Sequence, residues 1–213
     1  AFTEQAQALA SGGVDVLWLE TLSSKEEMRA AGQGAATTGL PVVATMTFDT
    51  NGSTMMGVSP MELVGLYREM VPRLVAFGAN CGIGAADLLG ALLAMVKQLD
   101  ERDILVAKSN CGILAYVDGR IQYSGTPELM AEYARLSLNA GARIIGGCCG
   151  TTPDHLKVMR LALESHQKSD VPDIDTVVGE LGPITEGTRA RCLDMHDRPK
   201  TGRVRKGRRR RDR

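Results

Sequence analysis

The chain has 213 residues, 44% of them apolar and 23% charged, a balance that fits one sizeable globular domain and excludes a chain disordered throughout. No apolar run approaches the ~18 residues a membrane span needs, and the opening Ala1-Phe2-Thr3-Glu4-Gln5 lacks the zones of a signal peptide, so a cytoplasmic protein is expected. The formal net charge of zero hides a segregation: residues 1–188 carry 13 Lys and Arg against 22 Asp and Glu, whereas residues 189–213 carry 12 against 3.

Along the chain, short apolar runs alternate with longer stretches of helical periodicity. A first helix is predicted from Phe2 to about residue 11, then a strand over 14–19. Ser23-Ser24-Lys25-Glu26-Glu27 opens the next helix with a cap residue and acidic first turn, and a second strand covers 41–47. Ser59-Pro60-Met61-Glu62 starts a third helix with Pro near its first position; a strand over 74–78, a helix over 85–100 and a strand over 104–108 follow. Tyr116 and Tyr123 flank Asp118-Gly119, which predicts a β-hairpin excursion. Thr126-Pro127-Glu128 opens another helix, residues 142–147 form a fifth strand, and Thr151-Thr152-Pro153-Asp154 begins the helix after it.

A strict strand and helix alternation implies parallel strands joined by crossover helices, in a barrel or an open doubly wound sheet. Polar and cysteine residues recur just past the expected strand ends: Glu20-Thr21, Thr47 to Asp49, Asn80-Cys81, Ser109 to Cys111, and Cys148-Cys149. A closed ring gathers all those ends at one mouth, whereas an open sheet gathers only those beside its switch point. The expected fold class is therefore α/β, a (β/α)8 TIM barrel with about five of its eight βα units in this chain and about three upstream. Residues 1–170 are expected to form this barrel portion. Residues 171–213 are read as a C-terminal extension whose basic tail, residues 189–213 ending in Lys206-Gly207-Arg208-Arg209-Arg210-Arg211, is too poor in apolar content to order. That tail has no aromatic residue to stack on bases, so nucleic acid is not expected as a partner, and Cys192 within the extension reads as a free thiol.

Five cysteines, Cys81, Cys111, Cys148, Cys149 and Cys192, are an odd number in a chain too large to need disulfide staples. The sharpest pattern is Gly146-Gly147-Cys148-Cys149-Gly150-Thr151 between a strand and a helix, with Gly78-Ala79-Asn80-Cys81-Gly82 at an earlier strand end. Zinc takes thiolates in tetrahedral geometry, and a catalytic site uses three protein ligands with one position open. The glycines permit the irregular backbone that lets adjacent cysteines converge on one ion. Burial of all three as small apolar residues is the competing reading. Cys111 reads as a packing residue, and none of His155, His166 and His196 is assigned to a metal.

Those two cysteine motifs, with Gly13-Val14-Asp15-Val16-Leu17-Trp18-Leu19-Glu20-Thr21 and the stretch from Thr47 to Gly57, resemble the homocysteine S-methyltransferase family. The resemblance spans roughly residues 1–168, and Phe48-Asp49-Thr50-Asn51-Gly52 and Met55-Met56-Gly57 are most similar to its bacterial betaine-homocysteine branch. It implies a Zn2+ cofactor held by Cys81, Cys148 and Cys149, with homocysteine sulfur in the fourth position and methyl transfer from betaine or a related onium donor to give methionine. It also implies substrate-binding roles for Glu20, toward the homocysteine ammonium, and for Asn80 and Asn110. Donors of the S-methylmethionine or folate type are the alternative within the class. A non-catalytic module whose basic tail engages anionic partners is the alternative outside it. The partners expected are the small-molecule substrates and, as an open option, a second copy of the chain; no membrane is expected.

Overall fold

The computed structural model describes residues 1–193. Its elements are α1 (Phe2–Ser11), β1 (Leu17–Leu22), α2 (Lys25–Ala36), β2 (Val42–Met46), α3 (Pro60–Glu69), β3 (Ala76–Cys81), α4 (Ala85–Val96) and β4 (Leu105–Ser109). There follow the hairpin β5 (Leu114–Val117) and β6 (Arg120–Tyr123), then α5 (Pro127–Asn139), β7 (Ala142–Gly147), α6 (Pro153–Ser165), α7 (Ile174–Leu181) and α8 (Glu186–Leu193). Five strands form one parallel sheet in the order β1-β2-β3-β4-β7. Each strand lies beside its predecessor with no reversal, which is the order of a barrel wall rather than of a doubly wound sheet with a switch point. Among the described residues no strand pairs with the outer edge of β1 or β7, and no helix is long and apolar enough to cross a membrane.

Local chemistry accounts for the helix starts. Ser24 Oγ accepts from the Glu27 N–H at 3.0 Å while Glu27 returns a bond to the Ser23 N–H at 3.1 Å. Ser59 and Glu62 close a full capping box with Pro60 in the first turn, so two orphan donors are satisfied at once. Helix α4 is apolar nearly all round because it is covered on two sides, by the sheet and by α7 and α8.

The two faces of the sheet have different partners. Leu17, Val42, Ala44, Phe77, Leu105 and Ala107 face the helices and join the main core. Val43, Ala76 and Val106 form a separate small cluster on the concave side with Trp18, Ile104 and Ile144. The alternation of side chains along parallel strands thus sends one apolar set outward to the helices and the other into the interior of the curved sheet.

Three expectations are corrected by the structure. Strands β1 and β3 run about three residues farther than the apolar runs suggested, to Leu22 and Cys81, because ladder pairing continues through Leu22 to Met46, Asn80 to Lys108 and Cys81 to Ser109; Glu20 therefore lies within β1, and Asn80 and Cys81 are the last two residues of β3 rather than loop residues. The segment expected to be unordered from residue 189 is helical as far as Leu193. Cys192, expected in that loose segment, is buried, with its thiol donating to the Gly90 carbonyl at 3.2 Å. Ile174, Val177, Leu181 and Cys192 belong to the same core as the sheet-covering helices. The basic run from Lys206 to Arg211, like His196, lies outside the described residues.

Buried Asp87 on α4 explains the docking of α8. Its Oδ1 accepts from the Thr185 N–H at 3.1 Å, the Thr185 hydroxyl at 2.9 Å and the Thr188 hydroxyl at 2.7 Å. A carboxylate seated at a helix N-terminus satisfies donors that the helix itself leaves open. Close approach of the two helices depends on Gly90, where a Cβ would lie 2.4 Å from Thr188 Cγ2.

Candidate metal centre

Three thiols meet at the C-terminal ends of β3 and β7. The Sγ atoms of Cys81, Cys148 and Cys149 all lie within 4.8 Å of one another, and those of Cys81 and Cys149 are 3.9 Å apart. A tetrahedral zinc with bonds of about 2.3 Å holds its sulfurs about 3.8 Å from each other, so the donor set and its spacing fit that ion. Cys81 and Cys148 are half-buried and Cys149 is exposed, which leaves one side of the group open to solvent. Among the described residues this is the only cluster of three or more His, Cys, Asp or Glu side chains spaced to hold a metal.

The backbone that brings them together is unusual at each step. Cys81 ends β3 with φ 62° and Gly82 follows at φ 75°, a left-handed pair that turns the chain sharply and costs a non-glycine residue some strain. On the other side, Cys148 N–H donates to the Ser109 carbonyl at 2.7 Å and Cys111 N–H donates to the Cys149 carbonyl at 2.8 Å. Gly150 has φ 78°, and a Cβ there would lie 2.4 Å from the Tyr123 ring. The sheet ladder therefore extends one residue past β7 and then breaks into a tight turn, which is how two successive cysteines present their sulfurs to one point.

Two asparagines lock this arrangement. Asn80, fully buried, accepts from the Thr21 N–H at 2.9 Å and donates to the Thr21 hydroxyl at 2.7 Å, with its amide nitrogen 3.8 Å from Cys148 Sγ. Asn110 donates to the Gly82 carbonyl at 2.6 Å and accepts from the Cys149 N–H at 3.1 Å. One ties the end of β1 to the thiol group; the other ties the two cysteine loops to each other. Thr47 contributes as well, its hydroxyl accepting from the Gly82 N–H at 3.2 Å. Asp49 bonds the Thr50 hydroxyl beside the Asn51-Gly52 turn.

Charge and burial set the protonation of the group. Burial, then the neighbouring Cys148 and Cys149 sulfurs, pushes the Cys81 thiol up to about 12; a bound cation would offset both causes at Cys81. Burial and the adjacent Cys149 thiol push the Tyr123 phenol up too. Tyr123 reaches the group from β6, whose hairpin is fastened at its base by Ser124 N–H to the Ile113 carbonyl and Gly125 N–H to the Cys111 carbonyl, each at 3.1 Å.

Glu20 sits on the concave side of β1 and is ion-paired with Lys108 of β4, whose ammonium lies 4.9 Å from the centre of the Trp18 ring. The structure thus brings Cys81, Cys148, Cys149, Asn80 and Asn110 into one bonded group and places Glu20 beside that group, through the bonds of Asn80 to Thr21. Cys111 is buried, bonds the Gly125 carbonyl at 3.2 Å and stands outside the thiol cluster. His155 caps α6 by accepting from the Thr152 N–H at 3.2 Å, and His166 bonds Asn139 at 2.9 Å. Sequence reading missed Lys108 and the approach of Tyr123. Lys108 offered only its place at a strand end; Tyr123 offered a hairpin cross-strand position opposite Leu114.

Comparison with known proteins agrees with this geometry. The family model "Homocysteine S-methyltransferase" matches residues 1–163. The methionine synthase of Mycobacterium leprae (strain TN) is 28% identical over 180 residues, which cover 81% of this chain and 14% of that protein. The solved structure of the homocysteine methyltransferase MmuM from Escherichia coli in its apo form superposes with a TM-score of 0.58 at 25% identity, covering 76% of this chain and 56% of that one. Its oxidised form gives 0.60 at 26% identity, covering 75% and 51%. The chain spans about half the length of the solved relatives and about a seventh of the methionine synthase.

Proposed function

Because the chain belongs to the homocysteine S-methyltransferase family, we propose that it carries the zinc and homocysteine half of a methyltransferase that makes methionine. The observation that carries this reading is the convergence of Cys81, Cys148 and Cys149 within 4.8 Å on a scaffold that commits two buried asparagines to holding them. Zinc bound by the three thiolates would supply the Lewis acidity that keeps a substrate thiol ionised near neutral pH.

The residues then divide the work. Asn80 and Asn110 are positioning residues, since their amide groups are engaged with Thr21 and Cys148 and with Gly82 and Cys149. Glu20 offers its carboxylate to the homocysteine ammonium. The chemistry is one displacement: a lone pair of the homocysteine thiolate forms the S–CH3 bond as the bond from that methyl to the cationic donor atom breaks, and the pair leaves with the demethylated donor. No side chain is needed as a general base once the thiol is ionised. We assign this chemistry to residues 1–170 and read α7 and α8 as a brace for α4. Betaine or a related onium compound is the donor we propose, on the likeness of residues 48–57 to the betaine branch.

Zinc per chain after purification under reducing conditions, compared with Cys148→Ser, tests the reading. About one zinc that the variant loses is expected; a folded wild-type chain that takes up none overturns it. Competition among betaine, S-methylmethionine and a methylated folate for methyl transfer to homocysteine then identifies the donor.

A further inference from the structure

Lys108 lies on β4 in register with Asn80 of β3 and Gly146 of β7. Its ammonium crosses the concave face to the Glu20 carboxylate of β1 and lies over the Trp18 ring. Gly146 adjoins its stem, a Cβ there lying in ordinary contact 3.6 Å from Lys108 Cγ. The floor of this face is apolar, formed by Val43, Ala76, Val106 and Ile144, with the buried polar side chains of Thr45 and Asn80 farther along it. The Trp18 Nε1–H is buried there without a hydrogen-bond partner among the described residues. The cluster therefore has one carboxylate to serve an ammonium and an indole donor.

A partly exposed ion pair contributes little to stability, so folding alone gives weak reason to place two charges on an apolar face. An α-amino acid gives a better one, because near neutral pH it carries both charges. When its ammonium replaces Lys108 at Glu20, Lys108 loses its counter-charge on this largely apolar face unless something replaces Glu20 beside it. The ligand carboxylate does so. We infer that Lys108 is the carboxylate-recognising residue of an α-amino acid subsite whose ammonium-binding half is Glu20, so that the empty-state ion pair is exchanged for the two charges of the substrate. The inference rests on the homocysteine reading and adds a specificity residue to it.

The test measures binding of two thiols to the zinc-loaded full chain: homocysteine, and 3-aminopropane-1-thiol, which has the same thiol and amine without the carboxylate. Wild type is expected to prefer homocysteine by about tenfold, the scale of one charge-assisted contact. Lys108→Gln is expected to lose that preference while binding the aminothiol at least as well, and Lys108→Arg to keep part of it. Zinc content should equal wild type in both variants, which separates loss of recognition from loss of the metal centre. Equal binding of the two thiols by wild type, or an unchanged preference in Lys108→Gln with zinc retained, overturns the role of Lys108 and leaves the zinc reading standing. A zinc-loaded wild type that binds neither thiol overturns the homocysteine reading, and this inference with it.

Discussion

The side-chain carbonyl of Asn110 accepts a hydrogen bond from the Cys149 backbone N–H at 3.1 Å, and the same amide donates to the Gly82 carbonyl at 2.6 Å. One side chain thus fixes the loop after Cys81 relative to the loop that holds Cys148 and Cys149. Asn110→Ala should leave three thiols present but less well aligned. Loss of an outer partner of this kind weakens metal affinity by about 10–100-fold. Asn110→Asp should also weaken it, because the second carboxylate oxygen would face the Gly82 carbonyl. Competition with a chelator of known zinc affinity measures both, and affinity within about twofold of wild type would contradict the positioning role.

The thiols give opposite pH dependences with and without metal. In the metal-free chain Cys81 is raised from 9.0 to about 12. The folded form therefore favours the neutral thiol, and the stability this contributes is complete below about pH 9 and lost as pH rises through about 12. Metal uptake runs the other way, because ligands must ionise and protons are released. The melting temperature of the metal-free chain should fall as pH rises above about 9, with a smaller fall in Cys81→Ser. Zinc affinity should strengthen from about pH 6 to about pH 8. Titration calorimetry in buffers of different ionisation enthalpy reads the protons released.

Asp87 joins α4 to the start of α8 through three hydrogen bonds to Thr185 and Thr188. Asp87→Ala should leave those donors without their acceptor and lower stability by about 1–3 kcal/mol. Cys192 offers a local readout, since its thiol is buried and pushed up to about 11, chiefly by burial. It should be alkylated faster in the variant than in wild type. An unchanged alkylation rate together with an unchanged denaturation midpoint would count against the brace.

Periodicity and helix caps were enough to place the five parallel strands and the helices between them, because those signals are local. The turn at Asp118-Gly119 was legible for the same reason, and both residues have positive φ as such a turn requires. The glycines around Cys148 and Cys149 pointed to an irregular backbone, but not to what their absent side chains make room for. Lys108 and Glu20 are 88 residues apart, Asn110 and Cys149 are 39 apart, and no spacing rule joins residues that meet only across a curved sheet. Cys192 was misjudged because the Arg-rich composition beyond it outweighed the few apolar residues that seat α8 against Gly90.

Gly150 supplies a test of how closely the hairpin and the cysteine pair depend on each other. Its φ of 78° suits glycine, and the Tyr123 ring occupies the place a side chain would take, 2.4 Å from an ideal Cβ. Gly150→Ala therefore meets two penalties, left-handed backbone strain and a clash with an aromatic ring, together about 1–3 kcal/mol. Relief can come by moving Tyr123 or by moving the turn after Cys149. Tyr123→Ala removes the first obstacle, so the double variant should recover part of the stability lost in Gly150→Ala if the ring is the main cause. Zinc affinity tells which part moved: displacement of the turn draws Cys149 away from Cys81 and weakens binding, whereas displacement of the hairpin alone leaves it near wild type. Because the Cys149 carbonyl is also held by the Cys111 N–H at 2.8 Å, the turn is the stiffer element. The expected outcome is a less stable chain whose zinc affinity falls by less than in Asn110→Ala.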